Sequence, residues 1–143
     1  RSRNITIAGR GLVIREYTLV DMLQLGDKLD ALTHSLAEVM QTPWPLIEEI
    51  EAVLRKHAGD IPELIACSVD QPVQWVALLP AGEGQSLIDW WWTQNRRFFM
   101  NAVVRLETIR ATRAKLSASA ASSQPSSGPD TTRAGSEPTP SAS

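Results

Sequence analysis

LIDWWWTQNRRFFMNAVVRL, residues 87–106, holds three of the five Trp, both Phe and a paired Arg of this 143-residue chain. Plotted at 100° per residue, Leu87, Ile88, Trp91, Trp92, Phe98, Phe99, Ala102, Val103, Leu106 and then Ile109 fall within about 160° of arc, broad for a surface helix. A face that wide and that apolar must be buried, so a long helix with one side in a core decides the fold. Ser86 ahead of it, with Asp89 three residues later, has the pattern of an N-cap and a capping-box carboxylate. That pattern predicts a helix from Leu87 to about Lys115.

Residues 117–143, on the C-terminal flank, contain no Leu, Ile, Val, Phe, Trp, Tyr or Met. Such a stretch cannot bury enough apolar surface to offset the ~1–2 kcal/mol per residue that backbone ordering costs. It reads as a disordered Ser/Ala/Pro-rich tail, either a solvated extension or a tether, behind one helical domain at residues 1–116. With 43% apolar residues the folded part has material for an ordinary core. Cys67 is the single cysteine, which excludes an internal disulfide framework. With no visible secretory leader, a reducing cytoplasm is the expected compartment. Arg1 standing where a Met would start points to residues lost or processed ahead of it. Asp89, Arg96 and Arg97 interrupt the best apolar run well short of the ~18 residues a bilayer span needs, so a soluble protein without a membrane partner is expected.

The net charge of −2 hides an uneven distribution. Arg1, Arg3, Arg10 and Arg15 against Glu16 leave residues 1–20 at +3, while residues 21–70 carry ten acids against Lys28, Arg55 and Lys56, or −7. Residues 96–115 carry Arg96, Arg97, Arg105, Arg110, Arg113 and Lys115 against Glu107, or +5. Opposite charges of this kind attract either across one domain or between this chain and a partner protein.

Asn4–Ile7 and Leu12–Tyr17 are aliphatic, β-branched runs separated by Ala8-Gly9-Arg10-Gly11, which predicts a β-hairpin. Thr18 with Asp21 makes a capping box, and Leu19, Met22, Leu25, Leu29, Leu32, Leu36 and Met40 recur at helical spacing with Gly26 as a point of kink or break. Thr42-Pro43-Trp44-Pro45 stops that helix and starts another, whose apolar seam of Leu46, Ile47, Ile50, Val53, Leu54 and His57 has Glu48, Glu49 and Glu51 on its wet side. Asp60-Ile61-Pro62-Glu63 opens a helix to about Val69. Asp70-Gln71-Pro72 opens a short one through Trp75 to Leu79, and Pro80 to Gly84 reads as a loop leading to Ser86. The expected fold is mainly α: a small helical domain with an N-terminal β-hairpin, five or so helices and a long aromatic-rich C-terminal helix.

A search for chemistry finds no catalytic, cofactor or metal site. His34 and His57 lie in separate helices with no partner at metal-ligand spacing. His57 suits a capping or core role near a helix C-terminus. Cys67 reads as a small core residue, since nothing near it in sequence would depress its pKa. Gly82-Glu83-Gly84 lacks the third glycine and the preceding strand of a dinucleotide loop. The chain reads as a non-enzyme.

Some residues of the long helix break its simple pattern. Asn95 projects at about 80° when Leu87 is at 0°, near the middle of the apolar arc. A buried amide needs partners, so Asn95 is expected to bond the backbone of a neighbouring loop, a structural role shared with Trp91, Phe98, Phe99 and Trp75. Trp90, Arg97, Met100 and Val104 sit on the other side, where a helix burying one face should be polar. Their composition is that of a protein interface, and the competing expectation is that the hairpin covers Trp90.

The order of signals resembles the tail assembly chaperones of long-tailed bacteriophages, in particular those of Mu-like phages and prophages. Ile7-Ala8-Gly9-Arg10 followed by Val13-Ile14-Arg15-Glu16-Tyr17-Thr18 and a Leu-rich helix is similar to their opening hairpin. Trp75-Val76-Ala77-Leu78-Leu79-Pro80, the Gly82/Gly84 loop, and a helix carrying Asn95-Arg96-Arg97-Phe98-Phe99 extend the likeness over roughly residues 5–106. Trp90-Trp91-Trp92 is unusually aromatic for that family, and the tail matches no motif of it. The resemblance implies a non-enzymatic factor in the host bacterial cytoplasm, absent from the mature virion. Such a factor binds the tape measure protein, keeps it soluble, often contacts tail tube protein, and can form homo-oligomers. It also implies two product lengths made by ribosomal frameshifting near the C-terminus. On this reading Trp90, Arg97, Met100 and Val104 form part of the partner-binding surface.

The rival reading is a small phage nucleic-acid-binding regulator using the basic helix 96–115, where cations interleave with aromatics. Against it stand the net charge and a sequence pI near 5.7, far from the pI above ~9 of a basic binding domain.

Overall fold

Ile5 and Ile7 flank the polar Thr6, and Leu12 and Ile14 recur at the same period of two with Val13 between them, which builds the first element. The structure, a computed structural model, describes residues 1–41 and 45–127. Strands β1 (Ser2–Ile7) and β2 (Arg10–Arg15) pair antiparallel with Ile7 opposite Arg10, so the turn is Ala8-Gly9 alone, two residues shorter than the four-residue connection expected. Both turn residues have positive φ, 50° and 75°, the conformation a two-residue hairpin needs to match strand twist. Ile5, Ile7, Leu12 and Ile14 are buried beneath the pair, while Val13 faces out.

Helices α1 (Leu19–Gln24) and α2 (Gly26–Val39) follow, separated at Leu25, so the break at Gly26 is real. The Thr18/Asp21 capping box starts α1: Thr18 Oγ1 accepts the Asp21 N–H at 3.2 Å, and Asp21 Oδ2 accepts the Thr18 N–H at 2.9 Å. The Thr42-Pro43-Trp44 stop lies outside the described residues. Helix α3 (Ile47–Lys56) begins with the Glu49 carboxylate accepting the Leu46 N–H at 3.0 Å. His57, just past its end, bonds Ser35 Oγ at 2.8 Å through Nε2. Helices α4 (Ile61–Val69) and α5 (Val73–Ala77) come next, with Asp70 in the left-handed conformation between them.

The last helix, α6 (Ala81–Ser127), corrects two expectations. It begins six residues before Leu87, and Ser86 is inside it, its hydroxyl donating to the Gly82 carbonyl at 3.3 Å. Gly82 and Gly84 are helical residues, because the Gly84 N–H bonds Pro80 O at 2.8 Å and Glu83 in the first turn is pinned by the hairpin turn, accepting the Ala8 N–H at 2.9 Å. Asp89, no longer a capping residue, accepts from Gln85 one turn back at 3.1 Å. At the other end helix continues past Lys115 through Ser127, where Ala118 and Ala120 favour it and sequence hydrophobicity alone could not show it. By packing the chain divides into residues 1–106 and residues 107–143.

Within residues 1–106, Leu87, Trp91, Phe99 and Val103 of α6 join Leu29, Leu32 and Leu36 of α2, Ile50 and Val53 of α3, and Leu64 and Val69 of α4 in one core with the hairpin's inner face. Trp92 stacks on Phe99 with ring centroids 5.7 Å apart, and Tyr17 meets Phe98 edge-on at 5.3 Å. Within residues 107–143, Ile109 and Leu116 are exposed. No described helix is long and apolar enough to cross a membrane.

Candidate docking face on the last helix

Helix periodicity places Asn95 on the buried arc with Trp91 and Phe99, and its surroundings satisfy it. Oδ1 accepts the Tyr17 N–H at 3.1 Å, and Nδ2 faces Ser68 Oγ at 3.2 Å and Trp91 O at 3.3 Å. The Tyr17 hydroxyl donates to Leu64 O at 2.6 Å and accepts Trp91 Nε1–H at 2.9 Å. Burial pushes the Tyr17 hydroxyl above its ordinary pKa, so it stays protonated and can donate. These bonds tie the end of β2, helix α4 and helix α6 together. A buried amide with its partners in place is a brace, not a reaction centre.

A second cluster sits where β2 meets α1 and α4. Arg15 pairs with Asp21, holds Asp70 through Nε at 3.1 Å, and donates to Cys67 O at 2.9 Å. The bonds to Asp21, then those to Asp70, raise the Arg15 pKa above its ordinary value. Burial alone would raise the Asp21 carboxyl. Bonds from Arg15, the Thr18 N–H and the Cys67 thiol outweigh it and hold Asp21 well below the usual carboxylate range. Burial first, and then the S–H bond to Asp21, push the Cys67 thiol up to about 11, so it is a neutral thiol at physiological pH and a poor nucleophile. Among the described residues no group of His, Cys, Asp and Glu is placed to hold a metal ion.

The outer side of α6 is different. Trp90 is half-buried, and the Arg3 guanidinium lies over its ring at 5.1 Å, so the hairpin covers part of it, as the competing expectation had it, and part stays open. Arg3 reaches there because the period of two puts it on the same side of β1 as the buried Ile5. Beside this stack Arg1, Arg3, Glu16, Thr93, Gln94, Arg96 and Arg97 surround a cavity of about 260 Å³. Arg97 is exposed and has no hydrogen-bond or ion-pair partner among the described residues. Met100 is half-buried, and Val104 is 64% exposed. The structure therefore brings Arg97 to the Arg3–Trp90 stack and sets Met100 and Val104 along the following turns. Trp75 lies elsewhere, half-buried under Arg10, whose guanidinium is 4.7 Å from its ring.

Sequence reasoning missed Arg3 and Glu16 as members of this face, since they come from the hairpin and no local spacing links them to α6. Electrostatically the face is a basic rim on a partly apolar strip, suited to an acidic or amphipathic polypeptide. Ion pairs within residues 1–106 run from Arg15 to Asp21 and Asp70, from Lys28 to Glu63, and from the Arg1 amino group to Glu16 at 3.8 Å. The bond to Glu63 raises the Lys28 pKa.

No curated protein and no solved structure matches this chain. One family does match, over residues 1–135: DUF6631, a family of unknown function.

Proposed function

We propose a role for this chain, which belongs to DUF6631, a family of unknown function: a non-enzymatic tail assembly chaperone of a long-tailed or Mu-like phage or prophage. It acts in the host cytoplasm, binds the tape measure protein, contacts tail tube subunits, and leaves before the virion is complete. The observation that carries this reading is the outer face of α6, where exposed Arg97 and Val104 flank half-buried Trp90 and Met100. A tape measure helix presents apolar stripes that aggregate when uncovered. Trp, Met and Arg side chains cover such stripes reversibly, because Met repacks readily and Arg supplies charge at the rim. The ordered likeness of Trp75–Pro80 and Asn95–Phe99 to phage chaperones supports the same partner.

The test is co-expression with a tape measure protein of a Mu-like phage or prophage. Wild-type chain should raise its soluble fraction, and Trp90→Ala with Val104→Asp should remove that gain. Unchanged solubility would place the site elsewhere. A nucleic-acid regulator remains the second reading, favoured by the arginines around the cavity at Arg3 and Arg97. Salt-sensitive retention of DNA or RNA on a filter at low ionic strength would support it, and none is expected here.

A further inference from the structure

Another side of α6 carries an apolar trough that the Trp90 face does not include. Three cavities of about 270, 240 and 250 Å³ adjoin there, and Ile88 lines all of them. Leu54 and Glu51 are shared by the first two, and Ile61, Pro62 and Gln85 by the first and third, so they form one continuous depression. Along α6 it runs from Ala81 to Thr93, about 18 Å of helix axis, the length of a three-turn helix. Its floor is apolar, aliphatic apart from Trp92, and Ile47 at one end is 51% exposed.

The rim is acidic. Glu51 and Asp89 both accept from Gln85 Nε2, at 2.9 and 3.1 Å, which holds the two carboxylates on the same edge without a cation between them. Arg55 is the cation among the lining residues.

We propose that this trough docks a basic amphipathic helix from another polypeptide. Apolar side chains at i, i+3 or i+4, and i+7 fill the floor, and Lys or Arg beside them meets Glu51 and Asp89. An extended segment fits poorly, because the trough is walled by helices α3 to α6 and offers no strand edge. The backbone groups of a strand would be buried there unpaired. A second copy laid trough to trough sets Glu51 and Asp89 against their own equivalents, a like-charge contact. The inference does not rest on the chaperone reading, since Ile88, Glu51 and Asp89 lie off the Trp90–Val104 face.

The experiment uses full chain and two labelled synthetic helical peptides of about 18 residues, long enough to span the trough. Both have the same Leu/Ala face, one flanked by Lys and one by Glu. Fluorescence anisotropy should show the Lys peptide binding roughly tenfold more tightly than the Glu peptide. Ile88→Asp should abolish binding of the Lys peptide. Glu51→Lys with Asp89→Lys, checked for native circular dichroism, should reverse the preference. Equal binding of the two peptides, or a preference that survives the charge swap, overturns the proposal. So does sedimentation showing a dimer that Ile88→Asp dissociates, since the trough would then belong to a second copy. Trp90→Ala with Val104→Asp should leave peptide binding unchanged, so this inference and the chaperone reading fail separately.

Discussion

Asn95 and Arg97 stand two residues apart on one helix and have opposite surroundings. Asn95 is wholly buried with its oxygen and its amide nitrogen both bonded, while Arg97 is exposed with no partner among the described residues. A polar group that costs free energy to bury is kept where its bonds hold three elements in register. A long cationic side chain left in water adds nothing to the fold and is available for recognition. The inner side of α6 thus specifies the body, and exposed Arg97 on the outer side is not needed for it.

The comparison breaks first at the aromatic core. Trp91→Ala removes a fully buried indole and the donor to the Tyr17 hydroxyl, and should lower unfolding free energy by about 3–5 kcal/mol, read from urea midpoints. Val104→Ala on the outer side should change it by less than ~0.5 kcal/mol. Equal losses at the two sites would mean that the outer side is also core.

Asn95→Ala comes next, at about 2–3 kcal/mol, because the Tyr17 N–H is left buried without its acceptor. Asn95→Asp sharpens the same point: the amide donor to Ser68 is lost and a charge is buried, so it should cost at least as much. Thermal unfolding followed by Trp fluorescence, with Trp91 in contact with the network, reports both.

Much of the inner side was legible in the sequence. The 3.6-residue period named Leu87, Trp91, Phe99 and Val103, and capping chemistry named Thr18 and Asp21. Asn95 could be placed on the buried arc, but its partners Tyr17 and Ser68 come from β2's end and α4, and nothing local in sequence joins them. The start of α6 was misplaced because glycines at 82 and 84 suggest a loop, whereas the Glu83 bond to Ala8 is a tertiary contact that overrides propensity. Its end was misplaced because hydrophobicity stops near Leu116 while helix propensity does not. The trough at Ile88 was invisible for a related reason. Each of its residues reads as seam or wet side of a separate helix, and only packing shows that the seams fail to close.

The Asp21 cluster should respond to both mutation and pH. Asp21→Asn weakens the pair with Arg15, and both side chains are mostly buried, so a loss of about 1–2 kcal/mol at neutral pH is expected. The folded carboxyl titrates below its unfolded value near ~4, so its contribution is complete above about pH 5 and disappears as pH falls toward the folded value. The gap in urea midpoint between wild type and Asp21→Asn should therefore narrow from pH 7 to pH 3. A constant gap would assign the loss to hydrogen-bond geometry and not to charge.

Arg97→Ala has the smallest expected effect on the fold and separates the two sides of α6 most cleanly. Arg97 loses no hydrogen bond or ion pair within the described residues, so unfolding free energy should stay within ~0.5 kcal/mol of wild type. Its charged neighbours around the 260 Å³ cavity are Arg1, Arg3 and Arg96 against Glu16, and removing one guanidinium relieves repulsion there, which makes a slight gain more natural than a loss. The same substitution should reduce the solubility gain on tape measure co-expression, with a larger reduction for Arg97→Glu and partial recovery for Arg97→Lys. A fold left intact while partner solubility drops is the outcome expected of a recognition residue. A drop in both would move Arg97 to the same class as Asn95.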